Sequence, residues 1–129
     1  MSARPRRLMR CMPSKSPDTA LRDILHHIDL AARFVEGFDY AAFRDDARTV
    51  YATTRCLEII SEASRRVLDE VKARHPSIAW RDMASAGNVY RQDYEDVAAR
   101  YVWDTVKRHL PALRLVMVEE LERISKARG

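Results

Sequence analysis

Apolar residues recur at intervals of three and four along most of this chain, the spacing of one buried helix face. Leu21, Ile24, Leu25, Ile28, Ala31, Ala32 and Val35 form the first stripe. Ser16 is placed to cap it, Pro17 suits the first helical position and Asp18 favours the positive end of the dipole. Gly37 is placed to end it. Asp39 can cap a short turn through Phe43, and a longer pattern then runs through Val50, Thr54, Leu57, Ile60, Ser64, Val67 and Val71. This spacing predicts one helix of about six turns, stopped by Pro76, with His75 pushed out of the α region. His75 is expected as a partner of the helix dipole rather than a ligand.

A short segment, SIAWRDMASAGN, follows, with Ser77 as candidate cap and Gly87 as stop. From about Ala98 the last stripe runs through Val102, Val106, Leu110, Leu113, Met117, Leu121 and Ile124, with Pro111 expected to kink or restart it near His109. No alternation of period two is long enough for a strand. The expected fold is all-α, an antiparallel four- to five-helix bundle with short loops.

Composition agrees with that class. A chain of 129 residues is one domain with room for a core, and 3 glycines are too few for a turn-rich β fold. No apolar run approaches the roughly 20 residues of a membrane span. The start, MSARPRRLMRCMP, lacks the apolar stretch of a secretory signal. A cytoplasmic protein is therefore expected. Cys11 and Cys56 are read as reduced thiols, Cys56 as a small buried hydrophobe.

Charge divides the chain in two. Residues 1–16 hold five basic groups (Arg4, Arg6, Arg7, Arg10 and Lys15) and no acidic one. Removing these from the 23 basic and 19 acidic residues leaves 18 against 19, a charge of −1 for the rest. Residues 1–16 are thus expected as a basic flexible arm and 17–129 as the helical domain. Such an arm can bind nucleic acid nonspecifically; it can equally be a plain extension, or precede a true start at Met9 or Met12.

One stretch breaks the apolar pattern. Residues 87–97, GNVYRQDYEDV, crowd Asn88, Tyr90, Arg91, Gln92, Asp93 and Tyr94 together, which marks either a solvated connection or a site. Elsewhere the candidates for chemistry are few. Glu58 and Glu62 share a helix face, yet no Glu-x-x-His pair completes a carboxylate metal site, and His26 and His27, being adjacent, diverge. No metal and no cofactor is expected. Arg55, Glu58, Glu62 and Arg65 read first as an ion-paired helix face. They line a cleft only where that face meets 87–97, and Glu62 is the candidate cleft residue among them. Trp80 and Trp103 read as core or dimer-interface anchors before base-stacking platforms.

Residues 18–124 resemble the HepT-like toxins of the HEPN superfamily. The resemblance is carried by Leu57 to Ala63 (LEIISEA, where the family run has glycine at the place of Ser61), by Pro76 to Arg81 (PSIAWR), by Val102 to Val106 (VWDTV) and by Leu110 to Leu113 (LPAL). It implies an all-α, metal-independent ribonuclease, usually a homodimer whose two active sites face one cleft. It also implies a toxin–antitoxin module whose partner, an MNT-type minimal nucleotidyltransferase, neutralises the toxin by transferring AMP to a tyrosine. The family signature is Arg, four to six residues, His, any residue, Tyr. On this chain Tyr94 takes the tyrosine, Asp93 the variable position and Gln92 the histidine. Asn88 matches the polar residue after the arginine, which puts Gly87 at the arginine position, and Arg91 is a basic residue displaced to just before Gln92.

The substitution at 92 bears on activity. RNA cleavage without metal needs the 2′-hydroxyl deprotonated, charge on the phosphorane stabilised and the leaving oxygen protonated. Histidine titrates near neutrality; glutamine accepts and donates hydrogen bonds without titrating. Catalytic roles are thus assigned to Gln92, Arg91 and Asn88, RNA contact to Arg91 and Tyr90, and AMP acceptance to Tyr94. Activity weakened by Gln92 is the expectation. The alternative is a non-catalytic dimeric module that binds the nucleotidyltransferase or is modified by it.

Overall fold

The computed structural model describes residues 16–88 and 95–129. Its elements are α1 (Pro17–Val35), α2 (Tyr40–Asp45), α3 (Ala47–Ser64), α4 (Asp69–Arg74), α5 (Trp80–Ser85), α6 (Glu95–Asp104), a π-helical turn (Thr105–His109) and α7 (Leu110–Arg128). No strand occurs among the described residues. The all-α expectation holds.

α1 is the central helix, packed along both α3 and α7. Ion pairs give the directions. Arg66, just past the end of α3, reaches Asp23 near the start of α1 at 3.3 Å. Arg114 and Arg128, at opposite ends of α7, reach Asp29 and Asp18 of α1 in reverse order. Both neighbours therefore run antiparallel to α1. Leu21, Ile24, Ile28, Ala31 and Val35 of its stripe are buried, as are Leu57 and Ile60 of α3 and Leu110, Leu113 and Met117 of α7, the two helices it packs on. Leu25 is half-buried and Ala32 exposed, so the stripe is narrower than the periodicity implies.

Capping follows the sequence in part. Asp39 accepts from the Ala42 amide at 2.8 Å and Asp46 from that of Thr49 at 3.3 Å, fixing the starts of α2 and α3. Gly37, with φ of 83°, turns the chain between α1 and α2 in the left-handed region that glycine adopts without a Cβ clash. Ser16 occupies the N-cap position of α1, but its hydroxyl pairs with that of Thr19 at 2.8 Å instead of a backbone amide. Ser77 does not cap α5; Ala79 holds that position.

One expectation of helix continuity is corrected. The single helix expected through Val71 ends at Ser64, and α4 begins only at Asp69. The Ser64 hydroxyl bonds back to the Ser61 carbonyl at 2.8 Å, and the amides of Arg65, Arg66 and Val67 each reach the carbonyl three residues back. These bonds tighten and finish the last turn. Val67 and Val71 are nevertheless buried. Apolar spacing reports which side chains go inside, not whether the backbone between them is unbroken.

At the other end the restart expected near His109 is found: a new α-helix begins at Leu110, with Pro111 in its first turn. The widened turn Thr105–His109 precedes it, with the Leu110 amide bonded five residues back to the Thr105 carbonyl. A proline inside an α-helix drives its ring into the carbonyl four residues back, and the wider turn opens that spacing. His75 leaves the α region as expected (φ −128°, ψ 64°), and Pro76 follows it.

Candidate functional site

The chain enters the 87–97 stretch from α5, a helix of six residues that rests on α3. α3 grips its C-terminal end through two side chains. Ser61, fully buried in the run 57–63, donates its hydroxyl to the Met83 carbonyl at 3.0 Å and accepts the Gly87 amide at 2.6 Å. One turn on, Arg65 donates to the Ala84 carbonyl at 2.7 Å and to Glu62 at 2.9 Å. The last carbonyls of a helix have no partner within it. Here α3 supplies two of them with donors, which fixes where Gly87 and Asn88 lie.

Gly87 has no space for a side chain. A Cβ there would stand 2.8 Å from the Glu58 Cα, 3.0 Å from the Ser61 hydroxyl oxygen and 3.2 Å from the Ser61 Cβ. The position assigned to the signature arginine is thus packed directly on the α3 backbone.

Gly87 and Asn88 line a groove of about 480 Å³ whose opposite wall is α3 and its C-terminal end: Arg55, Glu58 and Glu62, then Arg65 and Arg66, with Asp23 of α1 at its edge. The condition set by the sequence is met: the charged face of α3 does meet the start of the 87–97 stretch. Of the residues singled out there, Asn88 and Glu62 share this groove. Tyr90, Arg91, Gln92, Asp93 and Tyr94 lie outside the described residues. At the far end of the stretch, the Tyr40 hydroxyl donates to the Asp96 carbonyl at 3.1 Å, and the Arg100 guanidinium stands 3.9 Å from the Tyr40 ring centre. The stretch is therefore anchored on α3 at one end and on α2 at the other.

Each cation of the groove faces a carboxylate: Arg55 and Glu58 at 3.0 Å, Arg65 and Glu62 at 2.9 Å, Arg66 and Asp23 at 3.3 Å. All six are well exposed, and pairs of this kind contribute about 0–1 kcal/mol. A phosphate can therefore take a guanidinium from its carboxylate at small cost. Phosphate also offers the two oxygens that an arginine fork matches.

Trp103 packs on Phe43 (5.2 Å between ring centres) and Tyr40 (6.1 Å), and Trp80 donates its indole N–H to the His75 carbonyl at 3.0 Å. Both are half-buried anchors of the fold. Cys56 is buried, and burial pushes its thiol up to about 11. Cys11 lies outside the described residues.

The residues that sequence reasoning missed are Ser61 and Arg65 as a clamp, and a buried carboxylate, Glu120. Glu120 is 1% exposed and accepts hydrogen bonds from Arg74 Nε (3.0 Å) and Nη2 (2.6 Å), with His75 Nε2 at 2.6 Å. The Arg74 hydrogen bonds, helped by that of His75, hold its carboxyl down to about 2 against the upward push of burial. His75 is thus a hydrogen-bond partner of Glu120 across on α7, a contact its place at a helix end did not suggest. His75, Glu119 and Glu120 bring possible ligand atoms within 4.8 Å of one another, but Arg74 engages both Glu120 oxygens, which suits an ion-pair cluster and not a cation site. The only signal in the sequence was Glu120 falling three positions after Met117, within the apolar stripe of α7.

No helix among the described residues is long and apolar enough to cross a membrane. The family model for ribonuclease HepT-like proteins matches residues 24–120. Among curated relatives, a protein of Thermococcus cleftensis named "Probable ribonuclease HepT" is 37% identical, covering 73% of this chain and 86% of its own. Two proteins of Methanocaldococcus jannaschii, both named as candidate RNases, are 30% and 29% identical over 89% of this chain and cover 96% and 92% of their own lengths. No solved structure matches the chain. The matched span takes in α3, α5 and the groove between them, and on that match the chain belongs to the ribonuclease HepT-like family.

Proposed function

We propose that this protein is a ribonuclease toxin of weakened activity, acting on RNA at the groove between α3 and the 87–97 stretch, in a cytoplasmic module with an MNT-type nucleotidyltransferase. The observation that carries this reading is the meeting of Asn88, the first residue of the signature that remains, with the arginine-bearing face of α3. Relatives named as ribonucleases support RNA as the substrate. The reaction needs no metal: a base takes the proton of the 2′-hydroxyl, the 2′-oxygen attacks phosphorus, and the 5′-oxygen leaves as it gains a proton. In this chain Arg91 and Asn88 bind and stabilise the phosphoryl oxygens, and Tyr90 contacts a base. Gln92 stands where the proton-transferring histidine is expected, and it can only orient groups by hydrogen bonding.

Tyr94 is the acceptor of AMP, a role that requires access and the transferase but not a histidine at 92. The protein acts as a homodimer with the two grooves facing each other. The non-titrating Gln92 also favours a second reading, in which the dimer binds the transferase or is modified by it without cutting RNA.

Cleavage of total RNA and tRNA in the absence of metal, by the native chain beside Gln92→His, tests both. Turnover by the histidine variant alone assigns the native protein to the second reading. Turnover by both supports the first, and turnover by neither removes the ribonuclease reading.

A further inference from the structure

Resting on the reading of the groove as an RNA site, we infer that Arg65, at the C-terminal cap of α3, is the main phosphate-binding cation on the wall that faces Gly87 and Asn88. Position 87 cannot supply one, because a Cβ there already meets the Glu58 Cα at 2.8 Å. Positive charge at this part of the groove therefore comes from across it, from Arg55, Arg65 and Arg66.

The three arginines differ in how they are held. Among the described residues Arg55 is bonded to Glu58 alone, and its side chain is 70% exposed. Arg66 is drawn towards α1 by Asp23 at 3.3 Å, with Glu62 beyond at 3.9 Å. Arg65 is tied at two points, to Glu62 and to the Ala84 carbonyl. The carbonyl matters more, because it belongs to the backbone of α5 and does not leave when a phosphate displaces the carboxylate. It engages one terminal N–H and leaves the Nε–H and the other terminal N–H groups for a bidentate contact. A donor whose orientation is already set loses less entropy on binding and stabilises developing charge without first reorganising. The same Ala84 carbonyl lies three residues before Gly87, so the guanidinium keeps its place relative to Asn88.

The test separates binding from cutting. A fluorescein-labelled single-stranded 2′-O-methyl oligonucleotide lacks the nucleophilic hydroxyl, so its affinity reads binding alone. Anisotropy titrations across a range of salt compare the native full-length chain with Arg65→Ala, Arg65→Lys and Arg66→Ala. For single strands the dependence of log K on log salt has a slope near −0.7 per phosphate contact. Arg65→Ala is expected to weaken binding about tenfold or more and to make the slope shallower by about 0.7. Arg65→Lys restores much of the slope without the full affinity, since it keeps the charge and loses the fork. Arg66→Ala, which removes a groove cation drawn towards α1, is expected to weaken binding less than Arg65→Ala, and an equal or larger loss there overturns the inference.

A role confined to holding α5 gives a different result: lower melting temperature for Arg65→Ala, with native affinity and slope in the folded protein at low temperature. That outcome overturns the inference and leaves the RNA reading intact. Native protein that binds no oligonucleotide at any salt overturns both.

Discussion

The Ser61 hydroxyl and the Gly87 amide meet at 2.6 Å, and this contact leaves no volume at position 87 for anything larger than hydrogen. The serine that holds the backbone in place also helps exclude a side chain there. The resemblance led to glycine being expected at 61 and arginine at 87, and the serine and glycine found there touch each other.

Gly87→Ala is therefore expected to destabilise the protein by about 1–3 kcal/mol, the usual range for overpacking a filled interior. Adding Ser61→Gly removes two of the three close contacts and should return part of that loss; the Glu58 Cα remains. Urea unfolding of the two single variants and the double variant measures the coupling. Strict additivity would show that the contact is not what limits position 87.

Glu120 makes stability depend on acid. Its carboxyl is held down to about 2 in the fold, against an ordinary value of 4.5, chiefly by Arg74. The unfolded chain therefore takes up this proton first as pH falls. The stabilisation is fully present above about pH 4.5 and is lost progressively as pH drops towards 2. Glu120→Gln should flatten this part of the pH–stability curve. It should also cost some stability at neutral pH, because the buried charge-assisted hydrogen bonds from Arg74 weaken, although Arg74 itself stays in reach of water. An unchanged acid limb in chemical denaturation would contradict the assignment.

Cys56 should be unreactive while the protein is folded, since its burial and raised pKa leave almost no thiolate at neutral pH. In a Cys11→Ser background, thiol labelling at pH 7.5 is expected only at the rate of unfolding, and promptly in denaturant. Fast labelling of the native state would place Cys56 within reach of solvent.

Restoring histidine at 92 is expected to raise the rate of RNA cleavage by about 10²–10⁴, the usual contribution of a positioned acid–base group. The gain should show a pH optimum near neutrality that the native chain lacks. Equal rates and identical pH profiles for the two proteins would mean that another group moves the proton.

Much of this molecule was legible before any coordinate. Local rules placed the start of α2 through Asp39, the turn at Gly37 and the departure from helix at His75, because each depends on residues within one turn; the cap of α3 at Asp46 follows the same rule but was not read from the sequence. The apolar stripes identified most of the core for a similar reason: burial is decided face by face. The break after Ser64 was not legible, because the apolar phase continues on either side of it. Nor was the π turn before Pro111, a response of the helix backbone to a ring it keeps rather than expels.

The candidate site divides along the same line. Its residue types and their order along 87–97, including glutamine at 92 and glycine at 87, are properties of the chain and needed no structure. That Ser61 and Arg65 hold the end of α5, that Glu62 shares a groove with Asn88, and that Glu120 is buried between Arg74 and His75 are contacts between residues 19 to 46 positions apart. Such contacts arise only when whole helices pack. Periodicity determines which face of a helix turns inward, and the tertiary structure alone decides which neighbour that face meets.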